Sequence, residues 1–136
     1  MQRRVEPYIS SPGLGQYNLY NIPVNWGLAW EQCRADGGHL LVLDSQEELN
    51  FVRKLIKKRT DSFYTYIGVH DLLNVDHFVT VLDKDFIPSN VNQLRNVENV
   101  GFGEKQCLVI TPTGRLNALS CEQEHPFICE VETNND

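Results

Sequence analysis

Long apolar runs are absent from this chain of 136 residues. No stretch approaches the roughly 18 consecutive apolar residues that a membrane-spanning helix needs, so we expect no membrane span. A secretory signal would follow a basic start with an apolar run, but Arg3 and Arg4 lead only into the segment Val5-Glu6-Pro7-Tyr8. A mature secreted domain that carries an added Met1 has the same appearance. Asn-x-Ser/Thr sites are also absent, so we expect no N-glycosylation.

Net positive charge is absent too. The 12 Lys and Arg residues are outnumbered by 18 Asp and Glu residues, which gives a formal charge of −6. Phosphate binding needs a basic surface, so this balance argues against nucleic acid as a partner. One local exception is the basic run that comprises Arg53, Lys54, Lys57, Lys58 and Arg59. It is interpreted as a solvated helix end that complements the macrodipole, with an anion-contacting patch as the alternative.

The four cysteines lack a C-x-x-C pair, which argues against a zinc ribbon and a thioredoxin-type redox motif. An even cysteine count in a small acidic domain is typical of an oxidised, secreted framework. Spacing alone leaves all three possible connectivities of Cys33, Cys107, Cys121 and Cys129 open.

Catalytic signatures are also missing. No serine lies in a nucleophile-elbow context, and paired cysteines would leave no thiol nucleophile. The acidic pair Glu47-Glu48 is explained by its place in the first turn of a predicted helix. We therefore expect a protein that is not an enzyme.

The N-terminal third predicts an arm, a strand and a helix. Residues 1–15 are mostly polar and contain Pro7, Pro12 and Gly13, which predicts a loose arm. Alternation of polar and apolar residues over 16–22 predicts a strand. Asn25 is a candidate N-cap, and Gly37-Gly38 is a candidate helix stop. The apolar stripe of this first helix is Trp26, Ala29, Trp30 and Cys33.

A second helix is predicted after a short buried strand over 39–43. Ser45 and Glu48 form a capping box, and the helix should fray near Thr60-Asp61. Its apolar stripe is Leu49, Val52 and Ile56. Short candidate strands follow at 64–69, 78–82, 107–110, 116–119 and 127–131, with a long Asn-rich loop between Leu82 and Cys107. Two helices, small irregular antiparallel sheets and a long loop indicate the α+β class.

An ordered series of motifs then appears along nearly the whole chain. It consists of Trp30-Glu31-x-Cys33, Gly38-His39-Leu40, Tyr66-Ile67-Gly68-Val69, Leu116-Asn117, Cys121 and Pro126-Phe127-Ile128-Cys129-Glu130. This series resembles the C-type lectin-like domain. The segments 68–72 (GVHDL) and 79–82 (VTVL) further resemble the insect haemolymph lipopolysaccharide-binding group. The resemblance implies a lectin-like domain over 16–132, between an arm at 1–15 and a tail at 133–136. It also implies the disulfides Cys33–Cys129 and Cys107–Cys121.

Many members of the family bind sugar through a calcium ion, and calcium takes six to eight oxygen ligands. The family's Glu-Pro-Asn motif corresponds here to Glu98-Asn99-Val100, or to 97–99 in another register, and neither version has the proline. Its Trp-Asn-Asp motif corresponds to Leu116-Asn117-Ala118, which lacks the last carboxylate. We therefore expect no calcium at the usual sugar site, and no other cofactor. The candidate ligand-binding residues are Asn92, Asn96, Glu98, Asn99, Glu104 and Asn117, with Lys105 as the alternative to Glu104.

Three further groups have competing interpretations. His70-Asp71 and Asp76-His77 have residue types that could hold zinc, but an ordinary polar turn is the favoured interpretation. An auxiliary calcium could use Asp71, Asp76, Asp83 or Asp85. The tryptophans Trp26 and Trp30 could stack on sugars, although their helical spacing favours a role in the core.

The leading hypothesis is a secreted, extracellular pattern-recognition domain of innate immunity. It would bind microbial surface glycan or lipopolysaccharide without the usual calcium. The first alternative is a protein-binding or dimerising module, which could use the apolar loop residues Phe86, Ile87, Val97, Val100 and Phe102. The second is calcium-dependent carbohydrate binding through a divergent site.

Overall fold

The structure is a computed structural model that describes residues 8–11, 13–74, 77–86, 97–99 and 105–132, with the backbone alone described for 97–99. Two helices and nine strands are present in these segments. In chain order they are β1 (Ile9–Ser11), β2 (Gly15–Val24), α1 (Trp26–Ala35), β3 (His39–Leu40), α2 (Gln46–Arg59), β4 (Thr65–His70), β5 (Val79–Thr80), β6 (Val97–Asn99), β7 (Gln106–Ile110), β8 (Leu116–Ser120) and β9 (His125–Val131). Neither of these helices is long and apolar enough to cross a membrane.

The described strands form one sheet in the order β1-β2-β9-β4-β7-β8-β6, with β3 paired to β9 and β5 paired to β4. Two of the pairs, β4 with β9 and β6 with β8, are parallel, and the others are antiparallel. The predicted α+β class is therefore confirmed. The sheet is continuous and mixed, whereas the sequence indicated separate antiparallel sheets, because pairing partners distant in the chain cannot be read from local patterns.

The sheet begins earlier in the chain than the sequence indicated. Ile9–Ser11 pairs with residues 15–17 of β2 through a turn in which the Leu14 N–H donates to the Ser11 carbonyl at 2.9 Å. Gly13 in this turn has a φ of 81°, which favours glycine. The loose-arm prediction is wrong for Ile9–Ser11, because the turn residues were interpreted as interruptions. The domain limits of 16–132 stay a prediction.

Helix α1 has the expected N-cap but only part of the expected buried stripe. The Asn25 side chain accepts from the Leu28 N–H at 2.9 Å, and Trp26, Ala29 and Cys33 are buried. Trp30 is 36% exposed and lies under the Arg34 guanidinium, 4.7 Å from the ring centroid. At about 100° per residue, position 30 lies beyond one edge of the stripe that the other three residues form. The core role predicted for Trp30 is therefore wrong, and the one predicted for Trp26 is confirmed.

Helix α2 starts at its predicted cap. Ser45 Oγ accepts from the Glu48 N–H at 3.0 Å, and the helix ends at Arg59. The reciprocal bond differs from a standard capping box, because Glu48 Oε1 accepts from the Asp44 N–H at 3.0 Å rather than from Ser45. Glu48 therefore stays at the N-terminal end of the helix with one oxygen, and its other oxygen accepts from the Tyr17 hydroxyl of β2 at 2.7 Å.

Each helix covers one face of the sheet. Ile67, Leu108 and Ile128 pack in the cluster that contains the apolar residues of α2. Their chain neighbours Tyr66, Cys107, Val109, Phe127 and Cys129 pack in the cluster that contains Trp26, Ala29 and Cys33 of α1. The central strands β4, β7 and β9 are therefore buried on both sides.

Two glycines let the segment after α1 approach the sheet closely. A Cβ at Gly38 would lie 2.2 Å from the Glu130 carbonyl oxygen, and one at Gly68 would lie 2.6 Å from the Leu40 carbonyl oxygen. Any other residue would force the backbones apart. Of the predicted strand at 39–43, only His39–Leu40 forms a ladder, pairing with residues 129 and 130 of β9.

Both disulfides implied by the family resemblance are present. Cys33 of α1 is bonded to Cys129 of β9, and Cys107 of β7 is bonded to Cys121, which directly follows β8. The first bond closes a loop with a sequence separation of 96 residues and fixes α1 on the sheet. No free cysteine is found in the described part of the chain.

Candidate functional site

The register of β6 against β8 brings predicted ligand residues together. Glu98 lies opposite Asn117, and Asn99 lies opposite Ala118, in a parallel pairing that the sequence did not predict. The end of the long loop is thus held against β8, at the edge of the sheet. Of the other candidate ligands, Asn92, Asn96 and Glu104 lie outside the described residues. Lys105 is exposed and donates through Nζ to the Leu72 carbonyl at 2.7 Å.

The side chains of β8 offer few oxygens that could coordinate a calcium ion. Asn117 is 8% exposed, and its Nδ2 donates to the Tyr64 hydroxyl at 3.4 Å. Ala118 is fully buried and has no side-chain oxygen. A calcium ion needs several oxygens at about 2.4 Å. The side chains of this strand supply only the Asn117 amide oxygen and the Ser120 hydroxyl, which already accepts from the Glu122 N–H at 3.2 Å.

An aromatic group borders Asn117, and the sequence analysis did not identify it. The Tyr64 ring lies 4.9 Å from the Phe63 ring and 5.6 Å from the His125 ring. Phe63 is 61% exposed, so this group presents an apolar surface beside the amide. Burial lowers the pKa of His125 and favours its neutral form. The available signal was the Phe63-Tyr64 pair directly before the 66–69 motif.

Two of the four predicted auxiliary acids, Asp71 and Asp85, have other partners in the structure. Asp71 is fully buried, and its Oδ1 accepts from the Gln106 N–H at 2.5 Å. Asp85 is exposed and lies 3.0 Å from His77 Nε2. Asp83 occupies a turn with a φ of 64°, and Asp76 lies outside the described residues.

The zinc grouping proposed around His70 is not assembled by the described residues. His70 Nδ1 accepts from the Leu72 N–H at 3.0 Å, so this nitrogen already has a partner. Burial lowers the pKa of His70. Within the described part of the chain, His70 belongs to no group of three metal-ligating side chains.

A pair of buried carboxyl groups lies between α2 and β9. Glu48 Oε2 accepts from the Tyr17 hydroxyl at 2.7 Å, and Glu130 Oε1 accepts from the Val42 N–H at 3.2 Å. Burial, followed by the charge of Glu130, raises the pKa of Glu48 to about 9, and burial raises the pKa of Glu130 to about 7. Near neutral pH the pair therefore retains a proton. Carboxylate oxygens are also the ligands that calcium takes.

The chain is similar in sequence to a known family of binding domains. The family model described as "Lectin C-type domain" matches residues 22–131. The chain belongs to the C-type lectin domain family. This membership confirms the family resemblance, from which the fold and the two disulfide pairings were predicted.

Several C-type lectin domain proteins align with most of the chain. Hemolymph lipopolysaccharide-binding protein of Periplaneta americana is 31% identical, over 92% of this chain and 52% of that protein. C-type lectin domain family 10 member A of Homo sapiens is 29% identical, over 79% of this chain and 34% of that protein. The light chain 2 of the snaclec coagulation factor X-activating enzyme of Macrovipera lebetinus is 27% identical, over 87% and 75%. The chain thus spans about half the length, or less, of the first two relatives.

Solved C-type lectin structures have the same fold. Human lithostathine superposes with a TM-score of 0.75 at 20% identity, over 96% of this chain and 92% of that one. The carbohydrate-recognition domain of cow CD23 superposes with a TM-score of 0.73 at 23% identity, over 99% and 100%. At these identities the likeness shows the fold alone.

Proposed function

We propose that this C-type lectin domain is a non-enzymatic, secreted recognition domain that binds microbial surface glycan or lipopolysaccharide without the usual calcium ion. The observation that carries the proposal is the pairing of β6 with β8. In this register Glu98 is the partner of Asn117, and Asn99 is the partner of Ala118, which has no side-chain oxygen for a calcium ion. Amide groups bond sugar hydroxyls directly, so a glycan site at this strand pair would need no metal ion. The relative named as a lipopolysaccharide-binding protein supports this class of ligand.

The basic face of α2 supports an anionic glycan in particular. We define the basic face as Lys54, Lys57 and Lys58, which are all exposed. Their i, i+3 and i+4 spacing places them on one side of the helix, and no carboxylate of the described residues lies within ion-pair distance of them. Like charges at this spacing disfavour the helix slightly, and the phosphates of lipopolysaccharide would neutralise them.

The basic face lies close to the start of β8. A Cβ at Gly114 would lie 3.1 Å from Arg53 Cδ, so the turn before β8 packs directly against α2 beside the lysines. Leu116, two residues later, is paired with the first residue of β6. Because Leu116 and Ala118 pack on the α2 side of the sheet, Asn117 belongs to the opposite face, and we treat the basic face as a separate contact.

The test is the binding of immobilised lipopolysaccharide to the purified oxidised chain. The triple variant Asn92→Ala, Asn96→Ala, Asn99→Ala should lose binding, with the exposed residue Asn50→Ala on α2 as the control. The triple variant Lys54→Gln, Lys57→Gln, Lys58→Gln should weaken binding and reduce its salt dependence, with Lys84→Gln as the control. Absence of binding to any microbial surface would contradict the proposal.

A second candidate is a protein-binding or dimerising module. The snaclec relative is named as the light chain of an activating enzyme, and this chain exposes Phe63, Ile22 and Leu73. Of the apolar loop residues expected to form such a contact, Phe86 instead packs partly buried against the core. The side chains of the other four lie outside the described residues. A concentration-dependent rise in molar mass, measured by light scattering and removed by Phe63→Ser, would favour this function.

A further inference from the structure

A histidine and two glutamates meet where β3 pairs with β9. His39 is the register partner of Glu130, and Glu132 lies two residues further along the chain on the same side. One nitrogen of His39 and one oxygen from each glutamate all lie within 4.8 Å of one another. No local pattern in the sequence indicates this group, because His39 and Glu132 are separated by 93 residues.

The hydrogen bonds of His39 direct one ring nitrogen at Glu132. Nδ1 lies 2.7 Å from the Leu40 carbonyl oxygen, which can only accept, so Nδ1 carries a proton. Nε2 lies 3.1 Å from Glu132 Oε2. This contact is an ion pair when Nε2 is also protonated, and a metal ion bound between the two atoms would replace that proton. A metal-ligating histidine has the same arrangement, with its second nitrogen bonded to a backbone carbonyl.

The two carboxylates complete the arrangement. Glu130 is 6% exposed and is held by the Val42 N–H, so its position is fixed. The Glu132 side chain is 65% exposed, which leaves a path to solvent. Gly38 permits the approach, because a side chain there would collide with the Glu130 backbone. The cluster thus combines one fixed carboxylate, one oriented imidazole and one accessible carboxylate.

We propose that His39 Nε2, Glu130 and Glu132 bind a zinc ion, with water at the remaining position. Zinc takes imidazole nitrogen and carboxylate oxygen at about 2.0–2.2 Å. The 3.1 Å between His39 Nε2 and Glu132 Oε2 suits two ligands of one ion. Calcium prefers an all-oxygen set, so the imidazole selects against it. The ion would join β3 to the end of β9. This site is independent of the proposed glycan site.

The test is a calorimetric titration of zinc chloride into the metal-free, oxidised full chain, together with competition against a chromophoric chelator. We expect one ion per chain, with affinity reduced at least about tenfold by His39→Gln and by Glu132→Gln. The controls His77→Gln and Glu31→Gln should leave the affinity unchanged. Cobalt(II) should give a visible absorption band of four-coordinate character, lost in His39→Gln. Since Glu132 is exposed, Glu132→Gln should retain the native circular dichroism spectrum.

Three results would overturn the proposal. The first is no zinc binding, and the second is binding that His39→Gln and Glu132→Gln leave unchanged. The third is zinc affinity that Glu48→Gln abolishes and Glu132→Gln leaves unchanged. That result would place the ion in the buried carboxyl pair instead.

Discussion

The carboxyl groups of Glu48 and Glu130 lie together in the interior, although one belongs to α2 and the other to β9. Each accepts a backbone N–H, from Asp44 and Val42 respectively. The Tyr17 hydroxyl donates to Glu48. Burial raises the pKa of this hydroxyl above its usual value, so it keeps the proton that it donates. Two buried, neighbouring negative charges repel each other strongly inside a protein, so a proton or another cation that accompanies the pair stabilises it.

Stability should therefore fall as pH rises in the presence of a chelator. Both glutamates have folded-state pKa values raised from 4.5, to about 9 for Glu48 and about 7 for Glu130. Between the unfolded and folded pKa values the native state binds more protons than the unfolded state, so the free energy of unfolding decreases with pH. We expect the melting midpoint to drop between about pH 5 and about pH 9.

The variant Glu130→Gln should flatten this pH dependence, because it removes one of the two charges. The exposed residue Glu124→Gln serves as the control and should keep the slope of the parent protein. A melting midpoint that rises over the same pH range in the parent protein would contradict the assignment of a shared proton.

The two tryptophans of α1 should differ in their contribution to stability. Trp26 is buried and donates through Nε1 to the Ile67 carbonyl at 2.9 Å, so Trp26→Ala should cost about 3–5 kcal/mol. Trp30→Ala removes an exposed ring and a cation–π contact and should cost about 1 kcal/mol or less. Urea unfolding of both variants measures the difference. Equal losses would show that Trp30 is part of the core.

Two Gly→Ala substitutions should have opposite effects on stability, because Gly68 lies against another backbone segment and Gly27 lies in a helix with space around it. Gly68→Ala places a Cβ 2.6 Å from the Leu40 carbonyl oxygen and should cost more than about 2 kcal/mol. The matched control is Gly27→Ala in α1, where the nearest atom lies at an ordinary 3.6 Å. That change should be neutral or stabilising by up to about 1 kcal/mol. A neutral Gly68→Ala would contradict the packing of residues 38–41 on β4.

Local sequence patterns were sufficient for the parts of the fold that depend on local physics. The Asn25 and Ser45 caps, both helices and most strands follow from hydrogen-bonding side chains and hydrophobic periodicity. Hydrophobic periodicity wrongly predicted that Trp30 is buried. The apolar spacing shows which side of α1 meets the sheet, but not how wide the buried part of that side is. Turn residues around Gly13 did not reveal that the chain folds back to form β1.

The contacts of the candidate sites could not be predicted from the sequence, because the residues that meet there are far apart in the chain. Glu48 could be identified as a capping residue, but its partner Glu130 is separated from it by 82 positions, and no local pattern encodes that register. The same holds for β6, whose parallel pairing with β8 makes Glu98 the register partner of Asn117. Motif resemblance supplied the disulfides, since spacing alone left three connectivities open.

The most direct test of the proposed function is the affinity for lipopolysaccharide measured in millimolar calcium and again in excess chelator. The variant Glu48→Gln should be measured in parallel, so that an effect of calcium on the buried carboxyl pair is not mistaken for ligand coordination. We expect equal affinities in the two conditions, because Ala118 removes a ligand that a calcium ion at the usual sugar site would need. Binding that appears only with calcium, in both the parent protein and Glu48→Gln, would contradict the calcium-independent site.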